Sequence, residues 1–359
     1  MRQFKFGSAL LITLILVGCG GGGSDVPAKP KFTAQVSFGD SLSDVGSYKV
    51  GTVAALGGGQ FTINGTAPTN WTELTASKFG LAAPCAALTG LDGDGTQGFS
   101  VMPPTTHAGC NGYAEGGARV TNPVGIGNKL TGGAAATLGM LTFPIVTQIQ
   151  NFMTANGSSF KGDEIVFVMA GANDVFMQAA LVGGGLSPAS GVAAVQTAAS
   201  ELAADVNTQI IANGAKYVVV VNVPDIASTP YVTLIANPTI RAQTGGLLDT
   251  LVTAFNAQLI ASLPDSAHVL NVDAYSASKD EVANPGKYNL TNVTGTACNL
   301  TSPSPNPLAS SLVCNANNLN QNVLATDHYL FADTVHPTPY GYSLFALYVL
   351  QAMTNKGWY

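Results

Sequence analysis

The sequence predicts an α/β fold, a parallel sheet with helices on both faces, and three observations carry that reading. Four short apolar runs each end in turn residues: Thr33 to Phe38 before Gly39-Asp40, Glu164 to Met169 before Gly171-Ala172-Asn173-Asp174, Tyr217 to Val223 before Pro224-Asp225, and His268 to Val272 before Asp273. Continuous apolar runs of this length suit strands buried on both faces. Between them the spacing turns helical. Val192, Val195, Ala199, Leu202, Val206 and Ile210 recur at steps of three or four, and Leu248, Leu251, Phe255 and Leu259 do the same. Pro144 to Phe152 and Pro339 to Met353 also read as helices, with proline near the first turn. Strand and helix alternate along the chain, which is the order of a parallel sheet covered on both sides.

Composition narrows the function classes. Only 9% of the 359 residues are charged, against roughly a quarter in ordinary soluble domains. That excludes a nucleic-acid reading, which needs basic clusters, and the formal net charge of −6 agrees. A hydrophobic fraction of 46% excludes wholesale disorder. Two stretches break the alternation, Leu81 to Gly117 and Ser276 to Thr326, both rich in small and turn-forming residues. Loops this long in a compact domain are functional or poorly ordered. Each holds two cysteines, which favours order.

The N-terminus reads as a targeting segment. Arg2 and Lys5 precede a short apolar run, Leu10 to Val17, too short to span a bilayer comfortably. Leu16-Val17-Gly18-Cys19 resembles the lipobox of bacterial lipoproteins, with Val17 where Ala or Ser is commoner. The resemblance implies cleavage before Cys19 and a diacylglycerol on its thiol. Residues 1–18 are then a signal peptide, 19–31 a Gly/Pro-rich tether and 32–359 the folded domain. The expected location is outside the cytoplasm, as a lipoprotein of the bacterial envelope, at the outer membrane, or as a secreted form. Cys85, Cys110, Cys298 and Cys314 remain, an even number that an oxidising compartment would pair. Four cysteines allow three connectivities. Cys85–Cys110 and Cys298–Cys314 are favoured because each pair brackets one loop, and each closure is worth roughly 3 kcal/mol. The cysteines are too scattered for a metal site, with no C-x-x-C.

Ser41 follows the first strand directly, in Phe38-Gly39-Asp40-Ser41-Leu42-Ser43-Asp44. In a doubly wound sheet, sites form beyond the carboxyl ends of strands. A serine there, at the start of a helix, exposes its hydroxyl beside the positive helix end, as an activated nucleophile requires. Such a serine needs a base, and His336 lies in Asp333-Thr334-Val335-His336-Pro337. Asp333, three residues upstream, can reach the imidazole Nδ1 and hold its tautomer. His107, His268 and His328 read as structural. Asn173 ends the second strand on the same rim as Ser41, with an amide able to donate to an oxyanion. Gly117, in Tyr113-Ala114-Glu115-Gly116-Gly117-Ala118-Arg119, offers a backbone N–H that can approach closely.

Together these residues resemble the GDSL, or SGNH, hydrolase family. Its four blocks occur in order: Gly39-Asp40-Ser41-Leu42, Gly117, Gly171-Ala172-Asn173-Asp174 and Asp333-x-x-His336. Val223-Pro224-Asp225-Ile226 and the stretch from Asn284-Pro285 to Cys298 are softer matches, and Ser47 stands where members often have Asn. The resemblance implies a flavodoxin-like three-layer α/β/α sandwich with a parallel sheet of about five strands. It implies Ser41 as nucleophile, His336 as base and then acid, and Asp333 as its orienting carboxylate. The implied oxyanion hole is made by the N–H groups of Ser41 and Gly117 and the side chain of Asn173. The implied activity is hydrolysis of a carboxylic ester or lipid with no cofactor and no metal. Phospholipase or acyl-transfer action would use the same residues, and an inactive surface-binding protein on this fold is a further alternative. The membrane partnership runs through the anchor on Cys19, and the two long loops are expected to build the acyl pocket.

Overall fold

The strands alternate their apolar side chains between two cores, and that alternation places the helices. The computed structural model describes residues 29–302, 306–324 and 327–359. The expected signal peptide, Cys19 and all but the end of the tether lie outside them. The elements are β1 (Ala34–Gly39), α1 (Gly51–Ala55), α2 (Trp71–Lys78), β2 (Leu88–Leu91), β3 (Met102–Thr106), α3 (Ala134–Leu138), α4 (Ile145–Ala155), β4 (Glu164–Met169), α5 (Ala172–Gly183), α6 (Pro188–Asp205), β5 (Tyr217–Val221), α7 (Pro230–Thr233), α8 (Pro238–Ser262), β6 (Val269–Val272), α9 (Ala274–Ala283), β7 (Asn292–Thr296), β8 (Tyr329–Phe331) and α10 (Pro339–Asn355).

The central sheet is parallel, in the order β1-β4-β5-β6. Val36, Phe38, Val166, Val168, Val218 and Val220 face one core, closed by Ile149 and Phe152 of α4, Val195 and Leu202 of α6, and Leu251 and Phe255 of α8. Ile165, Phe167, Met169, Val219 and Val221 face the other, closed by Trp71 of α2 and Ala346, Val349 and Met353 of α10. Side chains on successive strand residues point to opposite faces, so each strand feeds both cores. The expected three-layer sandwich is present, and all four apolar runs are its strands.

Among the described residues the sheet has four strands where about five were expected. The outer edge of β1 is covered by residues 111–115 instead. Ser37 N–H donates to Asn111 O at 3.0 Å, Tyr113 N–H to Ser37 O at 2.8 Å and Glu115 N–H to Gly39 O at 3.1 Å. Only the bridge between Ser37 and Gly112 has strand geometry. The Gly116-Gly117 turn that follows keeps the ladder short. The Cys85–Cys110 disulfide anchors this edge, where Gly112 N–H also donates to Cys85 O. The chain thus steps from β1 to one side, through 111–115, and then to the other side at β4. That makes the carboxyl end of β1 the switch point of the topology, where open sheets leave a crevice.

The two stretches read as long loops carry more regular structure than their composition suggests. The first contains the antiparallel β2–β3 hairpin. The second begins inside α9, which runs from Ala274 to Ala283, and then supplies β7, which pairs in parallel with β8. Cys298–Cys314 is the second disulfide, so both favoured pairings are those observed. Among the described residues, no helix is long and apolar enough to cross a membrane.

Candidate active site

Ser41 sits just beyond β1, but in a turn rather than at a helix start. Asp40 and Asp44 take the N–H groups a helix would have used. Leu42 N–H donates to Asp40 Oδ1 at 3.0 Å, and Gly46 and Ser47 N–H donate to Asp44 Oδ1 at 2.8 and 2.7 Å. Short acidic side chains that bond the backbone in this way compete with helix formation. The expected helix dipole at Ser41 is therefore absent, and the turn itself sets the hydroxyl. Gly39 ahead of it is clamped by Gln148 of α4, whose amide accepts from Gly39 N–H and donates to Gly39 O, both at 2.8 Å.

His336 lies in the tight loop between β8 and α10, closed by Ala332 N–H donating to His336 O at 2.7 Å. Its Nε2 is 2.8 Å from Ser41 Oγ, and its Nδ1 is 2.8 and 2.9 Å from the two oxygens of Asp333. An ionised carboxylate only accepts, so Nδ1 carries the proton and Nε2 accepts from the serine hydroxyl. Asp333 also accepts from the N–H groups of Ser311, Val335 and His336. Burial would raise this carboxyl, but the facing His336 and the bonds from Ser311 and Val335 outweigh it and hold the group well below the ordinary carboxylate range. The imidazole packs against Phe61, with ring centroids 4.9 Å apart.

Asn173 is the second residue of α5, directly after β4, and its Nδ2 donates to Ala118 O at 2.8 Å. One amide hydrogen is thereby used and one remains. Gly117 has a φ of +77°, and a Cβ there would lie 1.9 Å from Ile126 O, so the turn demands glycine. Among the described residues, neither Ser41 N–H nor Gly117 N–H donates a hydrogen bond. Asp40, buried beside the serine, has its pKa raised to about 6 by burial, against the pull of Leu42 N–H and His336.

Ser41, Gly117, Asn173 and His336 line one cavity of about 900 Å³. Its other walls are largely apolar, including Phe61, Phe99, Ile126, Leu138, Met140, Phe176, Ile226 and Leu312. The first long loop gives Gln97 and Phe99, and the second gives Ser302, residues 307 to 310 and Leu312. The segment from Ile126 to Met140, which no sequence signal marked, supplies a third wall. Pro224, Asp225 and Ile226 of the soft-match stretch also reach the cavity; residues 284 to 298 do not. His107, His268 and His328 lie elsewhere, on Thr89, Lys216 O and Tyr340.

Sequence reading missed the residues that hold these groups from a distance, Gln148, Arg119 and Ser311. They are separated along the chain from what they touch and carry no motif. Among the described residues, no group of three or more His, Cys, Asp or Glu side chains could hold a metal ion.

The family model described as GDSL-like Lipase/Acylhydrolase matches residues 36–349. No curated protein matches. Among solved structures, the chain is similar to an alpha/beta hydrolase enzyme from the metagenome of Lake Arreo, Spain, at 13% identity and a TM-score of 0.37, covering 90% of this chain and 96% of that one. With the match running through all four blocks, from the strand ahead of Ser41 to the helix behind His336, the chain belongs to the GDSL-like lipase/acylhydrolase family and is a hydrolase.

Proposed function

We propose that the protein is a serine hydrolase of carboxylic esters working through an acyl-enzyme. The observation that carries this reading is the continuous chain Ser41–His336–Asp333, with contacts of 2.8 Å at each junction, opening on an apolar cavity. Ser41 Oγ attacks the acyl carbonyl carbon as His336 Nε2 takes its proton. Asp333 keeps Nδ1 protonated and stabilises the imidazolium. The oxyanion accepts from the N–H groups of Ser41 and Gly117 and from the free amide hydrogen of Asn173. The intermediate collapses, and the alcohol leaves with the proton from His336. Water, deprotonated by His336, then attacks the acyl-enzyme and releases the acid and Ser41.

The cavity walls favour an ester with an apolar acyl chain, since each buried methylene contributes about 0.8 kcal/mol. The test joins covalent labelling by a fluorophosphonate with turnover of p-nitrophenyl esters of graded length. Labelling at Ser41, and loss of turnover on the order of 10⁴-fold or more in Ser41→Ala, are expected. Near-normal turnover in that variant rules the mechanism out.

The same reading extends to location. Two disulfides suit an oxidising compartment, and Cys19 with its flanking residues supports a lipid anchor in the cell envelope. Labelled fatty acid incorporated into the wild type but not into Cys19→Ala is the expected result; equal labelling of both counts against the anchor.

A further inference from the structure

We infer that Tyr48 is a positioning residue for the Gly117 oxyanion donor, acting on it through the carbonyl of the same peptide unit; this rests on the ester-hydrolase reading above. The amide joining Gly116 to Gly117 presents the carbonyl of Gly116 on one side and the N–H of Gly117 on the other, because a peptide unit is planar and trans. Fixing either end therefore fixes the direction of both. Tyr48 Oη donates to Gly116 O at 2.7 Å. The Tyr48 oxygen itself accepts from Thr142 N–H at 3.2 Å. A phenol has one proton to give, so that proton is committed to Gly116 O. Tyr48 is fully buried, and its ring meets Phe61 edge-on, so it has no second place to turn.

The other side of Gly116 is held as well. Its N–H donates to Asp44 Oδ2 at 2.9 Å. Gly117 itself cannot carry a side chain to steady the turn, since Ile126 O occupies the place of a Cβ. The restraint on this peptide must come from outside, and Tyr48 supplies it. A hydrogen bond into the carbonyl also polarises the amide and strengthens the opposite N–H as a donor, the cooperativity of hydrogen-bonded chains. Burial, with Glu115 and Asp44 nearby, raises the phenol well above its ordinary pKa, so the hydroxyl stays protonated throughout the working range.

Tyr48→Phe removes one oxygen and leaves the ring in place. The expected effect is a kcat lowered about tenfold, less than the 10²-fold or more seen when a donor is removed outright, with KM within twofold. Affinity for a trifluoromethyl ketone, which forms the tetrahedral adduct on Ser41, should weaken by the same factor as kcat. The rival is a disturbance passed through Phe61 to His336, because Phe61 touches both rings. That route shifts the midpoint of the pH–rate profile, whereas a loosened oxyanion donor leaves it in place. An unchanged kcat, or a loss accompanied by a shifted midpoint, overturns the inference. Should Tyr48→Phe not fold, 3-fluorotyrosine at position 48, a stronger donor, is expected to raise kcat, and no change overturns the inference. Turnover surviving in Ser41→Ala is a different failure, that of the hydrolase mechanism itself.

Discussion

Arg119 and Asp174 form an ion pair, Nε to Oδ1 at 2.9 Å, with 12% and 4% of their side chains exposed. Asp174 accepts from Val120 N–H as well, at 3.0 Å. Together with the bond from Asn173 to Ala118 O, these contacts fasten the start of α5 to the segment that follows Gly117. Two proposed oxyanion donors, on different loops and more than fifty residues apart in sequence, are thereby held as one unit. Asp174→Ala leaves a largely buried guanidinium and a buried N–H without partners. It should cost about 3 kcal/mol or more, read as a lowered urea midpoint, together with a fall in kcat. A variant as stable as the wild type would show that the pair does not lock the loops.

Asn173 has a narrower role, and Asn173→Ala separates catalysis from scaffolding. Loss of one oxyanion donor lowers kcat on the order of 10²–10³-fold. Loss of the bond to Ala118 O costs about 1 kcal/mol. A change confined to KM, with kcat intact, would remove Asn173 from the oxyanion hole.

The motif residues were readable because the sheet order forces them together. Ser41 follows β1, Asn173 follows β4 and Asp225 follows β5, so apolar runs ending in turn residues mark the rim. Helices with a weak apolar stripe were not readable that way. α9 carries Ser, Lys, Asp or Glu at half of its positions and reads as loop. α2 was missed too, although Asn70 and Glu73 form a capping box at its start, a local signal of S/T/D/N followed by E three residues on. The helix start assumed at Ser41 failed for the opposite reason, since the flanking aspartates bond the backbone locally and hold a turn. Gln148, Arg119 and Tyr48 act across distances that no spacing rule encodes.

Glu115 gives a stability prediction with a definite sign. Burial raises its pKa from 4.5 to about 8, against the bond from Phe143 N–H. Between those values the folded protein holds the proton and the unfolded chain has lost it. The folded state binds more protons there, so stability falls as pH rises through the window. The slope is on the order of 1.4 kcal/mol per pH unit for one such group. Glu115→Gln keeps an acceptor for Phe143 N–H and removes the titration. Urea midpoints from pH 5 to pH 8 should converge at the acid end and separate at the alkaline end, with the variant the more stable. Parallel curves would show that Glu115 titrates alike in both states.

Cys298–Cys314 does more than close a loop. Cys298 N–H donates to Ala332 O, the residue before Asp333, and Cys314 N–H donates to Ser311 O. Ser311 N–H in turn donates to Asp333 Oδ2 at 3.0 Å. The disulfide therefore joins the strand end that carries Asp333 to the segment that holds its carboxylate, and both cysteines are fully buried, as is Ala332. Replacing both cysteines by alanine lifts the constraint on a 16-residue separation, worth about 3 kcal/mol. The loosened Ser311 contact also weakens the restraint on Asp333, and with it the alignment of His336 towards Ser41. The double variant should therefore lose kcat at temperatures well below its own unfolding midpoint. If its kcat per folded molecule equals that of the wild type there, the disulfide serves stability alone and Asp333 is held adequately by its own loop.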